Sequence, residues 1–424
     1  MLKFTFNHIE LNDSNKKVIF FINQILHFVL TSALIILITR TINESGYGKY
    51  SYYLFFFTFA GQVAGNFYFP GYLRRSSLLL KSGSSLFYKF YKYFSSKFLK
   101  IYFFLSFIIL IYLINEKGYD ILIFLLLFFS LLKAFSRFNN QVLNNLGYQV
   151  HYTIIESLIL FFQIITIFLL KFNNILNVVY VFIVFQLIQC IIHYIYIFKI
   201  ISNKTKFINE LNNLKKEKLK ITEFSKPFIL GNIIMFIAFQ GDKILIEHFF
   251  TFQEVGVYNA NFQFAWVPLT LIISSVSIYV TPHWYNLVDE KHFTQLRSNV
   301  YLILKYYVFA ILFSLIILLT AGEYLINIIL SSYSDTLIFL ILFIASAFYS
   351  CSMFFENYFK SLSLPKTYIK YRNIVFIFYF PLSYSLYLIF GANAIGIGLL
   401  FTTFIYLFII IILYAKSRHT YRPR

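Results

Sequence analysis

Charge is what this sequence has least of. Only 12% of its 424 residues are Asp, Glu, Lys or Arg, where a soluble domain carries about a quarter. A soluble enzyme is excluded, because a chain of this length cannot hide so much apolar surface in one water-bounded core. Disorder is excluded as well, since little of the chain is polar. Acid is scarcer still: 17 Asp and Glu stand against 36 Lys and Arg, a net charge of +19. The two cysteines, Cys190 and Cys351, lie inside apolar runs without CxxC or metal-ligand spacing. No disulfide framework and no metal site follow from them. No HExxH, GxSxG or Walker A motif occurs, so neither a hydrolase nor a nucleotide-driven pump is expected, and no cofactor. The glycine-rich stretch 391–398 lacks the Lys-Ser/Thr of a phosphate loop and reads as a tight turn with close helix packing. A cleavable leader is not expected either, because the first apolar run is long and follows a polar stretch.

What the chain has in quantity is apolar surface. Hydrophobic residues make up 59% of it and the mean hydropathy is +0.72. The 56 Phe and 35 Tyr accompany abundant Ile, Asn and Lys, the composition of an AT-rich coding sequence rather than of an aromatic binding surface. A helix needs roughly 20 apolar residues to cross the hydrocarbon. By that measure spans fall at 18–39, 51–72, 99–115, 121–138, 153–170, 177–198, 227–247, 257–280, 300–320, 336–357, 373–390 and 394–415. The runs are continuous rather than alternating, which excludes a β-barrel. With the N-terminus inside, only Arg40, Lys49, Lys117 and Lys171 of the 36 basic residues fall in outside segments and Lys243 and Lys305 within spans, with Lys100, Lys133 and Arg137, near the cytoplasmic ends of theirs, counted as inside. So strong a bias fixes the orientation. It also accounts for the positive charge without nucleic acid. The expected fold is an all-α polytopic membrane protein of about twelve transmembrane helices, both termini cytoplasmic.

The chain also repeats. Lys17-Val-Ile-Phe-Phe-Ile-Asn23 resembles Lys226-Pro-Phe-Ile-Leu-Gly-Asn232, and each is followed by one span and then by Gly48-Lys-Tyr50 or Gly256-Val-Tyr258. This predicts two six-helix bundles, 1–198 and 227–424, joined by the charged cytoplasmic linker 199–226 and followed by a basic cytoplasmic tail. Internal repeats with a site between them are a transporter architecture.

Polar residues inside spans are costly and normally face a bundle interior or a wet cavity. Asn23, His27 and Thr31 recur every fourth residue in the first span and share one face, as do Gln62 and Asn66 in the second. Gln186, Gln189 and His193 mark the sixth span, and Glu156 and Gln163 the fifth. The seventh carries Asn232, Gln240, Asp242, Lys243 and Glu247, and the eighth opens with Asn259, Asn261 and Gln263. Any one of them can serve as a plain interhelical hydrogen bond. Amides dominate the set, however, and an amide presents donor and acceptor together, as sugar hydroxyls require. The substrate-cavity candidates are therefore Asn23, His27, Thr31, Gln62, Asn66, Asn232, Gln240, Asn259 and Gln263. Arg74 and Arg75, at the cytoplasmic end of the second span, either anchor the topology or contact phosphate. Lys243 and Lys305 either snorkel or contact phosphate. Asp242 either makes a structural pair or couples a cation. Pro268 and Pro282 are expected to kink or end the eighth span.

These residues resemble a known family. Glu44-Ser-Gly-Tyr-Gly48-Lys-Tyr50, an apolar span and Arg74-Arg75 look like the first hairpin of bacterial polysaccharide (O-antigen) flippases. Lys226-Pro227, Gly241-Asp242-Lys243, Glu254-Val-Gly256-Val-Tyr258 and Pro282 are similar to the start of that family's second half. The family is the polysaccharide transporter branch of the multidrug/oligosaccharidyl-lipid/polysaccharide (MOP) exporter superfamily. The resemblance implies two six-helix bundles around a cavity that opens alternately to each side. It implies a multi-pass protein of the bacterial cytoplasmic membrane that moves undecaprenyl-diphosphate-linked oligosaccharide to the outer leaflet. Its partners would be membrane lipids and the glycosyltransferases and polymerase of surface-polysaccharide assembly. The chain departs from related lipid flippases in showing few central cations. The alternative function is a cation-coupled multidrug exporter of the same fold, with Asp242, Glu156 and Glu356 as the available acids. A membrane-embedded polymerase or glycosyltransferase would need a large, basic outer loop, and the outer loops are short.

Overall fold

A computed structural model describes residues 13–67, 71–72, 84–145, 148–202, 211–362, 364–391 and 393–420. These are helical almost throughout. The first half holds α1 (Asp13–Thr41), α2 (Glu44–Asn66), α3 (Ser84–Lys117), α4 (Ile121–Asn145), α5 (Gln149–Leu170) and α6 (Ile175–Ser202). The second holds α7 (Leu211–Gln240), α8 (Asp242–Phe249), α9 (Phe252–Asp289), α10 (Phe293–Leu330), α11 (Thr336–Ser361), α12 (Pro365–Ile377), α13 (Tyr379–Phe390) and α14 (Asn393–Thr420). Among the described residues 10 helical segments are long and apolar enough to cross a membrane. Two further crossings complete the expected twelve. One is α2, diluted by Gly46, Gly48, Gly61, Gly65 and Gln62, yet about 34 Å long at 1.5 Å per residue. The other is split into α12 and α13. The protein is a multi-pass all-α membrane protein.

The breaks have local causes, and they are not where two prolines pointed. The helix α9 runs through Pro268 and Pro282 without interruption. Proline is tolerated in a span when neighbouring groups re-satisfy the freed backbone. The seventh crossing divides instead at Gly241, between α7 and α8. A Cβ there would stand 2.6 Å from the Ile237 carbonyl oxygen and 2.8 Å from the Phe380 ring. Asp242 then opens α8, and its Oδ1 accepts the backbone N–H of Lys243 at 2.8 Å. Acid at a helix start is favoured by the unpaired N–H groups there. The eleventh crossing divides at Phe378, ahead of Pro381, whose ring cannot follow an uninterrupted turn. The segment read as a linker is helical from Leu211 onward, and α2 begins seven residues before its expected span.

Packing repeats along the chain. Among α1–α6 the main pairings are α1 on α5, α2 on α4 and α4 on α6. Among α7–α14, besides α13 on α14, they are α7 on α12, α9 on α11 and α11 on α14. Counted by crossing, these are the same three pairings. The two sets meet chiefly along α2 and α9. A large buried cluster holds Tyr47, Tyr52, Phe57, Tyr258, Trp266, Phe354 and Tyr406. A second, aromatic cluster at the end of the helices opposite Gly48 packs Tyr72, Phe87, Phe90, Phe94 and Phe138. Outward-facing Phe104, Phe107, Phe309, Phe313 and Leu319 are more than half exposed, as lipid-facing side chains of a membrane helix are. The helix α10 is the most peripheral crossing, with 6% of its apolar window buried.

Candidate functional site

Helical geometry locates the interior. Ile22, Leu26 and Val29 of α1 are exposed on one stripe, and at 100° per residue Asn23, His27 and Thr31 lie on the other side. All three are half-buried. Thr31 Oγ1 donates to the His27 carbonyl at 2.8 Å, which fixes that hydroxyl on its own helix. His27 Nδ1 is shielded and has no hydrogen-bond partner among the described residues. Gln24, which no sequence pattern singles out, accepts from Ser275 Oγ of α9 at 3.1 Å. Gln62 and Gln263 are half-buried. Asn232 is half-buried and engaged in an interaction. Asn66 closes α2, and its side chain, like Arg74 and Arg75, lies outside the described residues.

On the second set, Asp242 and Lys243 are buried, at 1% and 5% exposure. They do not bond side chain to side chain. Lys243 Nζ donates to Gln240 Oε1 one turn earlier, at 2.5 Å. Tyr258 of α9 brings its hydroxyl beside Asp242, yet Asp242 Oδ2 makes no hydrogen bond of ordinary geometry. Asn259 Nδ2 crosses between the sets and donates to Tyr47 Oη and Ser51 Oγ, each at 2.9 Å. Its Oδ1 has no partner. Asn261 is committed to the Tyr333 and Val257 carbonyls, at 2.8 and 2.9 Å. Lys305 is exposed on α10, at the periphery.

The cations most deeply placed in α4 were counted by sequence among the cytoplasmic ones. Lys133 and Arg137 follow Ile121, the outer end of α4, by twelve and sixteen residues, which is roughly 18 and 24 Å into the membrane. Both are exposed. Ile121, Phe124 and Phe128 mark the lipid-facing stripe of α4. Lys133, nine residues from Phe124, is half a turn away from that stripe. Both cations are thus exposed on the side of α4 turned from its exposed apolar stripe. Lys133 Nζ lies 5.7 Å from the Phe129 ring centroid. Its charge acts on Arg137 beside it and on Lys243 of α8 across the seam between the sets. The spacing of Phe124, Phe128, Lys133 and Arg137 was the signal that could have found them.

Each set also encloses a charged cluster among its last three crossings. In the first, Asn140 Nδ2 donates to Glu156 Oε1, Gln189 Nε2 donates to the same oxygen at 3.4 Å, and Arg137 supplies the opposite charge. Gln186 Nε2 donates to Gln189 Oε1 at 2.9 Å, and His193 Nδ1 lies 3.3 Å from Ser136 Oγ. Gln163 is buried nearby on α5. In the second, Arg372 Nη1 donates to Glu356 Oε2 at 3.1 Å and Tyr406 Oη donates to Oε1 at 2.8 Å. Lys360 Nζ stands 3.8 Å from Glu356. The polarity is reversed between sets: the base is on the fourth crossing and the acid on the fifth in one, the acid on the tenth and the base on the eleventh in the other. Among the described residues no group of His, Cys, Asp and Glu is placed to hold a metal ion.

No family model matches the chain, and no curated protein matches it in sequence. Solved structures match it over nearly its full length. It is similar to the lipid II flippase MurJ in an inward closed conformation, with TM-score 0.66 and 17% identity over 94% of this chain and 87% of that one. It is similar to a MATE transporter of Vibrio cholerae, VcmN, with TM-score 0.61 and 12% identity over 96% and 98%. An outward-facing multidrug resistance MATE transporter of the MOP superfamily gives TM-score 0.62 and 13% identity over 96% of each chain. Likeness at such identities carries the fold alone: this is the fold of the MOP-superfamily transporters.

Proposed function

We propose that the chain is a flippase that carries undecaprenyl-diphosphate-linked oligosaccharide from the cytoplasmic to the outer leaflet of a bacterial cytoplasmic membrane, by alternating access between two six-helix bundles, 1–198 and 227–424. The observation that carries this reading is the exposure of Lys133 and Arg137 on the interior side of α4, with Lys243 across the seam. Like charges gathered in a low-dielectric interior call for an anion, and a diphosphate brings about two negative charges. Hydrogen bonds to a charged group contribute about 1.5–3 kcal/mol each. Sugar hydroxyls cost on the order of 2–7 kcal/mol each to bury without a partner, and Asn23, His27, Gln62, Asn232, Gln240 and Gln263 are the groups we assign to them. Asn259 keeps only its Oδ1 for such a role. The prenyl tail stays in lipid. Glycosyltransferases making the substrate and a polymerase consuming it are the partners, and the protein itself is a carrier rather than an enzyme.

The test is leaflet sidedness in cells lacking the protein and any redundant flippase. Labelled lipid-linked oligosaccharide is expected to accumulate on the cytoplasmic leaflet. Complementation by Lys133→Gln or Arg137→Gln is expected to fall about tenfold or more, at wild-type protein level. Unchanged sidedness on deletion overturns the reading.

A second reading, cation-coupled multidrug export, draws support from the buried Asp242 with its unbonded Oδ2. It expects drug resistance on expression, lost in Asp242→Asn, with no effect on surface polysaccharide.

A further inference from the structure

The two sets of helices meet backbone to backbone at both ends, at Gly71 against the Ile221 carbonyl of α7 (2.1 Å from a Cβ there) and at the ends read as outer. Gly48 of α2 and Gly256 of α9, the glycines of the repeated Gly-x-Tyr motifs, lie where the two backbones cross. A Cβ on Gly48 would stand 1.7 Å from the Phe252 carbonyl oxygen, and one on Gly256 would stand 2.2 Å from that of Glu44. Polar contacts between the sets cluster around this crossing. Gln253 Nε2 donates to Glu44 Oε2 at 3.3 Å, Tyr333 Oη donates to the Ile42 carbonyl at 2.8 Å, and Arg40 Nη2 donates to that of Ile328 at 3.0 Å. One contact here is charged on both sides. Lys117, the last residue of α3, pairs with Glu247 of α8, and the two side chains are only 22% and 14% exposed. Lys117 Nζ also lies 5.8 Å from the Tyr52 ring and 5.7 Å from that of Phe252, within the range of cation–π attraction. Among the described residues it is the one ion pair that joins α1–α6 to α7–α14. Farther in, the described hydrogen bonds between the sets, Ser275 to Gln24 and Gly71 N–H to Ser225 Oγ at 3.0 Å, involve no charged side chain.

We propose that Lys117 and Glu247 form the latch of an outer gate, and that the glycine crossing beside them is its fulcrum. The pair sits at the membrane's outer edge, where separating it lets water solvate both charges. Opening there is therefore reversible in a way that separating Arg372 from Glu356, deep in a bundle, is not. The aromatic walls from Tyr52 and Phe252 hold the ammonium in place while the gate is shut and belong one to each set, so that parting the sets dismantles the box. The inference rests on the transporter reading that both functional proposals share, and does not depend on which substrate is carried.

The test uses the full chain, purified and reconstituted in lipid nanodiscs, without substrate. Spin labels on Tyr119→Cys, in the loop after α3, and on Thr251→Cys, before α9, report the separation of the outer ends by pulsed EPR. Both positions are exposed, and the two native cysteines are buried. Lys117→Met and Glu247→Gln are each expected to raise the wide-distance population at least threefold. The charge reversal Lys117→Glu with Glu247→Lys is expected to return it toward wild type. Lys117→Gln replaces Lys117→Met if the latter is not monodisperse. Wild-type distance distributions in the single variants overturn the latch, as does a reversal that opens as far as they do. Because no substrate enters the measurement, failure of the flippase reading shows in leaflet sidedness and leaves this result standing.

Discussion

A side chain's worth in this protein depends on what it would leave behind if removed. Arg372 is 6% exposed and bonds both oxygens of Glu356. Its loss strands a buried carboxylate, which typically costs 3–5 kcal/mol. Lys360 remains 3.8 Å from that carboxylate, so the lower end applies. We expect Arg372→Met to lose about 3 kcal/mol in equilibrium unfolding, and the double variant with Glu356→Gln to recover most of it. Lys305, exposed on the outermost helix, is expected to tolerate Gln within about 0.5 kcal/mol, and with no change in flipping if it serves the interface rather than the phosphate. The same contrast explains what was legible at this scale. Asn23, His27 and Thr31 declare a common face through their spacing alone. Lys133 and Arg137 have the same side chains as any cytoplasmic anchor, and only the path of α4 shows which face of the helix they take.

Among the helices, small residues decide where backbones approach. The crossing of α2 and α9 leaves no room for a methyl group on Gly48 or Gly256. Alanine at either site is expected to lower stability by about 1–3 kcal/mol through forced separation of the backbones, and to lower transport with it. Gly322 of α10 is the control. A methyl group added there would meet Leu318 first, at 3.7 Å. That is ordinary contact, and alanine at this position gains helix propensity. Thermal unfolding of the three variants is expected to separate Gly322→Ala, neutral or stabilising, from the other two. The repeated Gly-x-Tyr segments were visible as a repeat. That the two copies face each other across the seam was not, because facing is a property of two helices and a repeat is a property of one string. That α9 stays helical through Pro268 and Pro282 has a related cause: whether a span ends at proline depends on the neighbours that re-satisfy its backbone.

For the whole molecule, the flippase reading makes the membrane potential the force that sets the direction of transport. Moving about two negative charges outward is favoured by roughly 2.3 kcal/mol per charge per 100 mV, inside negative. Collapsing the potential with valinomycin and external potassium is expected to slow delivery of lipid-linked oligosaccharide to the outer leaflet, read by periplasmic labelling. A rate indifferent to the potential would mean that a compensating cation moves with the substrate, and would direct attention to Asp242 and Glu156. If the latch works as proposed, opening of these ends parts the glycine crossing and the Lys117–Glu247 pair, which are in contact in this structure.

The solvent and the helical crossings are legible in the chain alone, and the orientation is an expectation of the same kind. Each of these sums over local stretches: apolar length sets a span, and basic residues between spans set its direction, wherever the helix goes next. Which polar groups meet is settled only by packing. Azimuth and partner are fixed between residues far apart in the chain, as Asn259 meets Tyr47 and Lys117 meets Glu247. Hydropathy has no access to that choice, because lipid rewards every apolar face alike and leaves the polar ones to find each other.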